Sequence, residues 1–277
     1  MRINWKLKSL IYFYIDKFKA YNFLYFLQKY ITGRSKVIID EINPDWLIHQ
    51  DNLRNLDQKH IIEFGAGKSL SQNIFLSNTF EKQTLVDKFD MIDFDQFNSA
   101  NYQIKKLENN IQYKPVFNLK ELNLNHNITY IAPFDFSNNN LKEDIFDGCI
   151  STNTLEHISK NDIKIIFKEL KRIIKKDGLI SAVIDYSDHY AHTDKNIGLL
   201  NYLKFSSKEF KKYNHSSHFQ NRLRHSEYEN IFTELDYELL VNEAFNEQTP
   251  PKKISDEIIV DKLTFMTKGI FLLKNRK

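Results

Sequence analysis

Short apolar runs alternate with helical periodicity from residue 57 onward. His60–Phe64 (HIIEF) reads as a first strand and residues 68–78 as the helix after it. QTLVD at 83–87, ITYIAPFD at 128–135 and FDGCIS at 146–151 read as strands two, three and four. Ile163, Ile166, Phe167, Leu170, Ile173 and Ile174 form one stripe at helical spacing, with Ser159 and Asp162 placed as a capping box and Gly178 as the C′ residue. LISAVID at 179–185 follows as strand five, residues 226–235 as a helix, and YELLVNEAF and LTFMTKGIFLLKN as closing strand regions. Such alternation predicts an α/β fold: a doubly wound, Rossmann-like, mostly parallel seven-stranded sheet. Residues 88–127 exceed what one crossover helix needs. Residues 186–225 have poor periodicity, as expected of a lid or substrate-binding insertion after strand five.

The first 36 residues carry eight Lys/Arg against one Asp, interleaved with aromatics. Leu7, Leu10, Tyr14, Phe18, Tyr21 and Leu24 recur at helical spacing, which predicts an amphipathic helix or helix pair. Its longest unbroken apolar run, 10–15, is far short of the ~20 residues that span a bilayer, and no small-residue cleavage site follows it. Residues 1–50 therefore read as a helical extension and 51–277 as the main domain. The extension has three candidate roles: packing on its own domain, peripheral docking on an anionic membrane, and a dimer contact.

Among 277 residues, 42% are hydrophobic and the formal charge is +3, too slight for a nucleic-acid partner. The single cysteine, Cys149, excludes an internal disulfide and thiolate zinc clusters. It suits a reducing cytosol, so a cytoplasmic location is expected, with the inner membrane face as the site of any peripheral contact.

The chemistry concentrates in IIEFGAGKSL, residues 61–70. Gly65 and Gly67 match the first two glycines of a dinucleotide turn, but Leu70 stands where the third should be. A P-loop would need glycine at 62, which is Ile62. A phosphate-free ligand with a ribose fits better. Asp87, ending strand two, can accept both ribose hydroxyl protons; Glu63 is available for a cationic group and Asp135 for an adenine amine. S-adenosylmethionine has those parts.

EFGAGKS, LVD, APFDFS, FDGCISTNTLEHI and ELKRIIKKDGLISAVI resemble the successive motifs of class I S-adenosylmethionine-dependent methyltransferases. The resemblance spans roughly residues 57–185. It implies that Glu63, Gly65, Ala66 and Gly67 face the methionine part, Asp87 the ribose, Asp135 and Phe136 the adenine, with Ser151 and Asn153 nearby. Ser69 replaces the family's usual third small residue. The stretch from Asp188 to Arg224 resembles methyltransferases of bacterial surface-polysaccharide synthesis. That implies a small-molecule acceptor, with a hydroxyl of a sugar, nucleotide-sugar or glycan favoured. The alternatives are a lipid or quinone methyltransferase at the membrane surface and a non-catalytic binding protein of the same fold.

A hydroxyl acceptor needs a base. His189, oriented by Asp188, is the first candidate and His157 the second. Asp and His in DYSDHYAHTD could instead hold a divalent metal that acidifies the hydroxyl; spacing does not separate these, and no metal site is assigned. Asp188, Tyr190, Arg222 and Arg224 are candidate substrate contacts, the arginines as a clamp for phosphate or carboxylate.

Overall fold

The computed structural model describes residues 3–20, 36–56 and 59–277. Seven strands form one sheet in the order β3-β2-β1-β4-β5-β7-β6. They are β1 (His60–Phe64), β2 (Lys82–Val86), β3 (Ile128–Ile131), β4 (Phe146–Thr152), β5 (Ile174–Asp185), β6 (Tyr237–Phe245) and β7 (Lys268–Asn275). β7 alone runs antiparallel, between β5 and β6. The strand order reverses between β1 and β4, so the crevice where ligands of such sheets bind opens at their carboxyl ends.

Side chains one residue apart enter opposite layers, as the period of two requires. Ile62, Cys149, Phe271 and Leu273 pack under α6 (Lys160–Ile173) and α8 (His225–Glu234). Ile61, Ile150 and Leu272 pack on the other face, under α2 (Pro44–Leu53), α3 (Ser71–Leu76), α4 (Phe94–Leu107) and α5 (Leu119–His126). The long segment between β2 and β3 therefore contains two helices. The expected boundary at residue 50 falls inside α2, whose Trp46 and Leu53 belong to the core.

α6 forms where the stripe predicts it. Ser159 caps it by accepting from the Asp162 N–H at 3.2 Å, and Ile163, Phe167, Leu170 and Ile173 are fully buried, each stabilising by about 1.5–3 kcal/mol. Its end differs from expectation. The helix stops at Ile173 because Ile174 is already extended and pairs with Phe146, and the left-handed residue is Asp177 at φ 62°. Gly178 is not the C′ residue. A Cβ there would lie 2.7 Å from the Asp147 carbonyl oxygen, so glycine permits the close approach of β4 and β5.

α1 (Trp5–Phe18) packs on the insertion after β5, which contains the short helix α7 (Ser207–Phe210). Trp5 meets Tyr190, Phe205 and Tyr213, and Tyr12 stacks on His218 at 4.5 Å. The Trp5 N–H donates to Asp194 at 2.9 Å. The buried face is Trp5, Ser9, Tyr12 and Ile15, so the stripe of Leu7, Leu10, Tyr14 and Phe18 is turned outward; Tyr21 and Leu24 lie outside the described residues. Among the described residues, no helix is long and apolar enough to cross a membrane.

Candidate active site

The turn after β1 puts Gly65 and Gly67 at φ 77° and 76°, the left-handed region that favours glycine. Gly65 has a second constraint. A Cβ there would lie 2.4 Å from Thr154 Cγ2, so the loop after β1 and the loop after β4 touch at this point. Leu70 is left-handed too (φ 48°), and its side chain is fully buried with Ile74 and Phe75 rather than facing the crevice.

Asp87 lies one residue beyond β2, its backbone held between Ile131 and Phe134. It is 6% exposed, and its Oδ2 has no hydrogen-bond partner. Burial pushes its carboxyl up to about 6, against the opposing influence of the Tyr130 hydroxyl and the Gly65 N–H. Ser151 Oγ, fully buried at the end of β4, is also unpartnered. Acceptor capacity left open beside a glycine turn fits a ligand that brings hydroxyls. S-adenosylmethionine does so through its ribose, with Asp87 as the residue that would hold it.

Glu63 does not line the crevice. Its buried carboxyl accepts from Gln72 Nε2 (3.1 Å) and Asn73 Nδ2 (2.5 Å) beneath the turn, and burial pushes it up to about 8. The same network continues across the sheet. Thr152 Oγ1 donates to Gln72 Oε1 and meets His49 Nε2, and His49 Nδ1 meets Ser181 Oγ, each at 2.8 Å. Because Thr152 spends its proton on Gln72, His49 must donate from Nε2 and accept at Nδ1. Burial, reinforced by the charge of Lys268, holds this histidine down at about 3, so it stays neutral. Sequence reasoning missed His49, Gln72 and Asn73. An apolar-looking segment gives no sign that its polar side chains will meet under a sheet.

At the adenine side the fit is looser. β3 ends at Ile131, short of the expected 135, and the Asp135 carboxylate is exposed and accepts from the Ser137 N–H and hydroxyl at 2.8 and 2.7 Å. Phe136 packs edge-on to Phe64 and Phe134. Ala66 lies in the glycine turn, half-buried. Asn153 is exposed and left-handed, its N–H donating to the Val183 carbonyl, which ties the loop after β4 to β5.

Beyond that tie the carboxyl ends of β4 and β5 bring titratable groups together. Glu156 and His157 lie in a single 3-10 turn, Leu155–His157, and the His157 and His189 rings are 4.8 Å apart. The acid facing His189 is Asp185, at 3.5 Å from Nε2, and Asp185 also faces His192 at 3.8 Å. Burial works against ionisation of Asp185, but hydrogen bonds from His189 and Ser187 outweigh it and hold the carboxyl below its usual value. His157 is held lower than an ordinary imidazole by burial, which the Phe219 carbonyl partly offsets from 2.8 Å at Nδ1. Burial pushes the Glu156 carboxyl well up. Glu156 escaped the sequence reading because only burial separates it from the other acids.

The remaining expectations in the insertion are corrected. Asp188 does not orient His189; it is buried and accepts from Asn201 Nδ2 and the Tyr190 N–H. The Tyr190 hydroxyl donates to the Tyr213 carbonyl, and its ring lies under α1. Arg222 donates to the Phe205 carbonyl and to Ser207 Oγ. Arg224, 2% exposed, donates to the Tyr186 and Met266 carbonyls and the Tyr202 hydroxyl. Both arginines organise the insertion instead of clamping an anion, because coil backbone leaves carbonyls that only a long, branched donor reaches.

Residues 98–182 match the family model described as a methyltransferase domain. No curated protein matches the chain in sequence. Among solved structures it is similar to the YcgJ protein of Bacillus subtilis at 15% identity, over 84% of this chain and 98% of that one, with a TM-score of 0.48. It is similar also to an S-adenosylmethionine-dependent methyltransferase of Clostridium acetobutylicum at 15% identity, over 93% and 100%, with a TM-score of 0.48. A third, from Methanosarcina mazei, gives 12% identity over 85% and 99%, with a TM-score of 0.47. These likenesses are too distant to carry a substrate. Residues 98–182 are thus similar to a methyltransferase domain, and the seven-stranded sheet to which they belong is Rossmann-like.

Proposed function

We propose that the protein methylates a hydroxyl of a small molecule, with a sugar, nucleotide-sugar or glycan as the favoured acceptor. The observation that carries this reading is the Asp185–His189 pair, with His157 beside it on the loop after β4 that touches the glycine turn. When bound, the cofactor supplies an electrophilic methyl on a sulfonium: the oxygen–carbon bond forms as the sulfur–carbon bond breaks, and sulfur keeps the electron pair. A neutral hydroxyl is a poor nucleophile, so its proton must leave as the bond forms. His189, partly exposed and backed by Asp185, is placed to take it, and His157 is the second candidate. The 214–224 segment shields this side from water: Gln220 accepts from the His189 N–H, and Asn221 donates to the Leu155 and Ile158 carbonyls.

The test is S-adenosylhomocysteine release across a panel of sugars and nucleotide-sugars. His189→Ala should lower kcat by about 10²–10⁴-fold with cofactor affinity unchanged. Full turnover in that variant refutes the assigned base. Cofactor binding without turnover on any acceptor favours the non-catalytic reading. A membrane-surface acceptor is the second reading, supported by the outward face of α1: Leu7, Leu10, Ile11, Tyr14 and Phe18 are each more than 40% exposed. Co-sedimentation with anionic vesicles that fails after Leu10→Glu/Tyr14→Glu is its expected signature; equal sedimentation of the variant rejects it.

A further inference from the structure

The geometry points to a divalent transition-metal site formed by Glu156, His157 and His189. One ligand atom from each lies within 4.8 Å of the other two. The carboxylate is the independent observation. Glu156 is 2% exposed, neither of its oxygens has a donor in good hydrogen-bond geometry, and the Glu156 and Asp185 backbone N–H groups only partly offset its burial. A buried carboxylate without a donor or a cation is costly, and a cation among the three side chains would satisfy it.

Both imidazoles are set up as ligands. His157 Nδ1 faces the Phe219 carbonyl oxygen at 2.8 Å and so carries the proton, which leaves Nε2 with its lone pair. His189 has Nε2 toward Asp185, which leaves its other ring nitrogen free to ligate. A carbonyl or carboxylate behind each ligating histidine is the arrangement that fixes tautomer and ring orientation at metal centres. Two imidazoles and one carboxylate favour zinc, cobalt, iron or manganese over magnesium or calcium, which prefer all-oxygen sets. Asp185 and His192 flank the site, and positions not filled by these three side chains are left for an outside oxygen.

The cation's role rests on the methyltransferase reading; its binding does not. Coordinated to the cation, the acceptor hydroxyl loses its proton more readily, and the proton leaves to water. The His189 lone pair would then be engaged by metal, so metal and general base are alternative uses of one nitrogen. The site differs from a metal held by the 185–194 segment alone, because two of its three ligands come from the turn after β4.

The test uses the untagged full chain, stripped with chelator and titrated with Co²⁺, read by visible absorption and calorimetry. One equivalent should bind, with an absorption band reporting imidazole coordination. Even outer partners of metal ligands are worth about 10–100-fold in affinity, so Glu156→Gln, His157→Ala and His189→Ala should each weaken binding at least about tenfold. Circular dichroism and S-adenosylmethionine titration of each variant check that fold and cofactor site persist. Glu156→Gln keeps the side chain's shape and secures the test if a histidine variant misfolds. Absence of stoichiometric binding, or binding that all three variants retain, overturns the site. Cobalt binding in a protein that fails to bind S-adenosylmethionine would leave the site standing and sink the methyltransferase reading.

Discussion

Gly65→Ala tests the contact on which the crevice is built. Two costs add at this position. Alanine held in the left-handed region costs about 1–2 kcal/mol, and φ is 77° here. The new Cβ would also sit 2.4 Å from Thr154 Cγ2 and 2.5 Å from Oγ1, neither of them the far end of a flexible chain. Overpacking of this kind costs about 1–3 kcal/mol. Gly67→Ala is the internal control, since φ is 76° but nothing lies within 4 Å of its Cβ. Gly67→Ala should therefore lose about 1–2 kcal/mol and Gly65→Ala about 2–5 kcal/mol. Thr154→Ala removes Cγ2 and Oγ1 and leaves only the Thr154 Cβ, at 3.0 Å. Added to Gly65→Ala, it should recover about 1–3 kcal/mol, although alone it destabilises slightly by losing the hydrogen bond to the Thr152 carbonyl. The assay is urea unfolding of the four proteins of this cycle with Gly67→Ala beside them, compared at constant m. A coupling below about 0.5 kcal/mol, the range of independent sites, would refute the contact. Cofactor affinity should follow the same order if the displaced turn holds the ligand, as proposed.

Asp87→Asn should weaken S-adenosylmethionine binding at least about tenfold in calorimetry by removing a charged acceptor, and an unchanged Kd would remove Asp87 from the site. In the wild type, affinity should fall as pH drops below about 6, where the buried Asp87 carboxyl takes up a proton and loses an acceptor. Glu63 is raised from 4.5 to about 8, so its contribution to stability is full below about 4.5 and is lost as pH rises toward 8. Glu63→Gln should flatten that decline, worth at most about 5 kcal/mol across the window, and parallel pH–stability curves for the two proteins would exclude the effect. The Gln variant also loses an accepted hydrogen bond, so the slopes rather than the absolute stabilities carry the comparison. Arg224→Met should lower stability by about 1–3 kcal/mol, because the Met266 carbonyl loses its donor while the Tyr186 carbonyl keeps the Tyr202 hydroxyl. A variant of full stability with a raised KM would return Arg224 to the substrate.

Much of the sheet was legible because its strands are short, apolar and separated by helices with clear stripes. β1, β2, β4 and β6 fall within a residue of their predicted bounds, and α6 starts at its predicted cap. Gly65, Gly67 and Asp87 were legible for the same reason: a motif tied to strand ends inherits the reliability of the strands. The face of α1 was not. Trp5, Tyr12 and Ile15 lie on one side and Leu7, Leu10 and Tyr14 on the other, and periodicity does not say which of two apolar stripes packs on the domain. The insertion was hardest. Asp185 and Asp188 both lie near His189 in sequence, and only the direction of the chain leaving β5 decides that Asp185 faces it.

The sequence by itself determined the alternation of elements, the glycine turn and the carboxylate at the end of β2, because these follow from local periodicity, backbone sterics and spacing. Its single cysteine also excluded a disulfide within these 277 residues. Tertiary structure decided which polar side chains are buried. It spent Arg222 and Arg224 on carbonyls, placed Glu63 beneath the turn within the His49–Thr152–Gln72 network, and left Asp87 and Glu156 with oxygens unmet. The physical reason is that the cost of a polar group depends on whether water reaches it, and water is excluded by residues far apart in sequence.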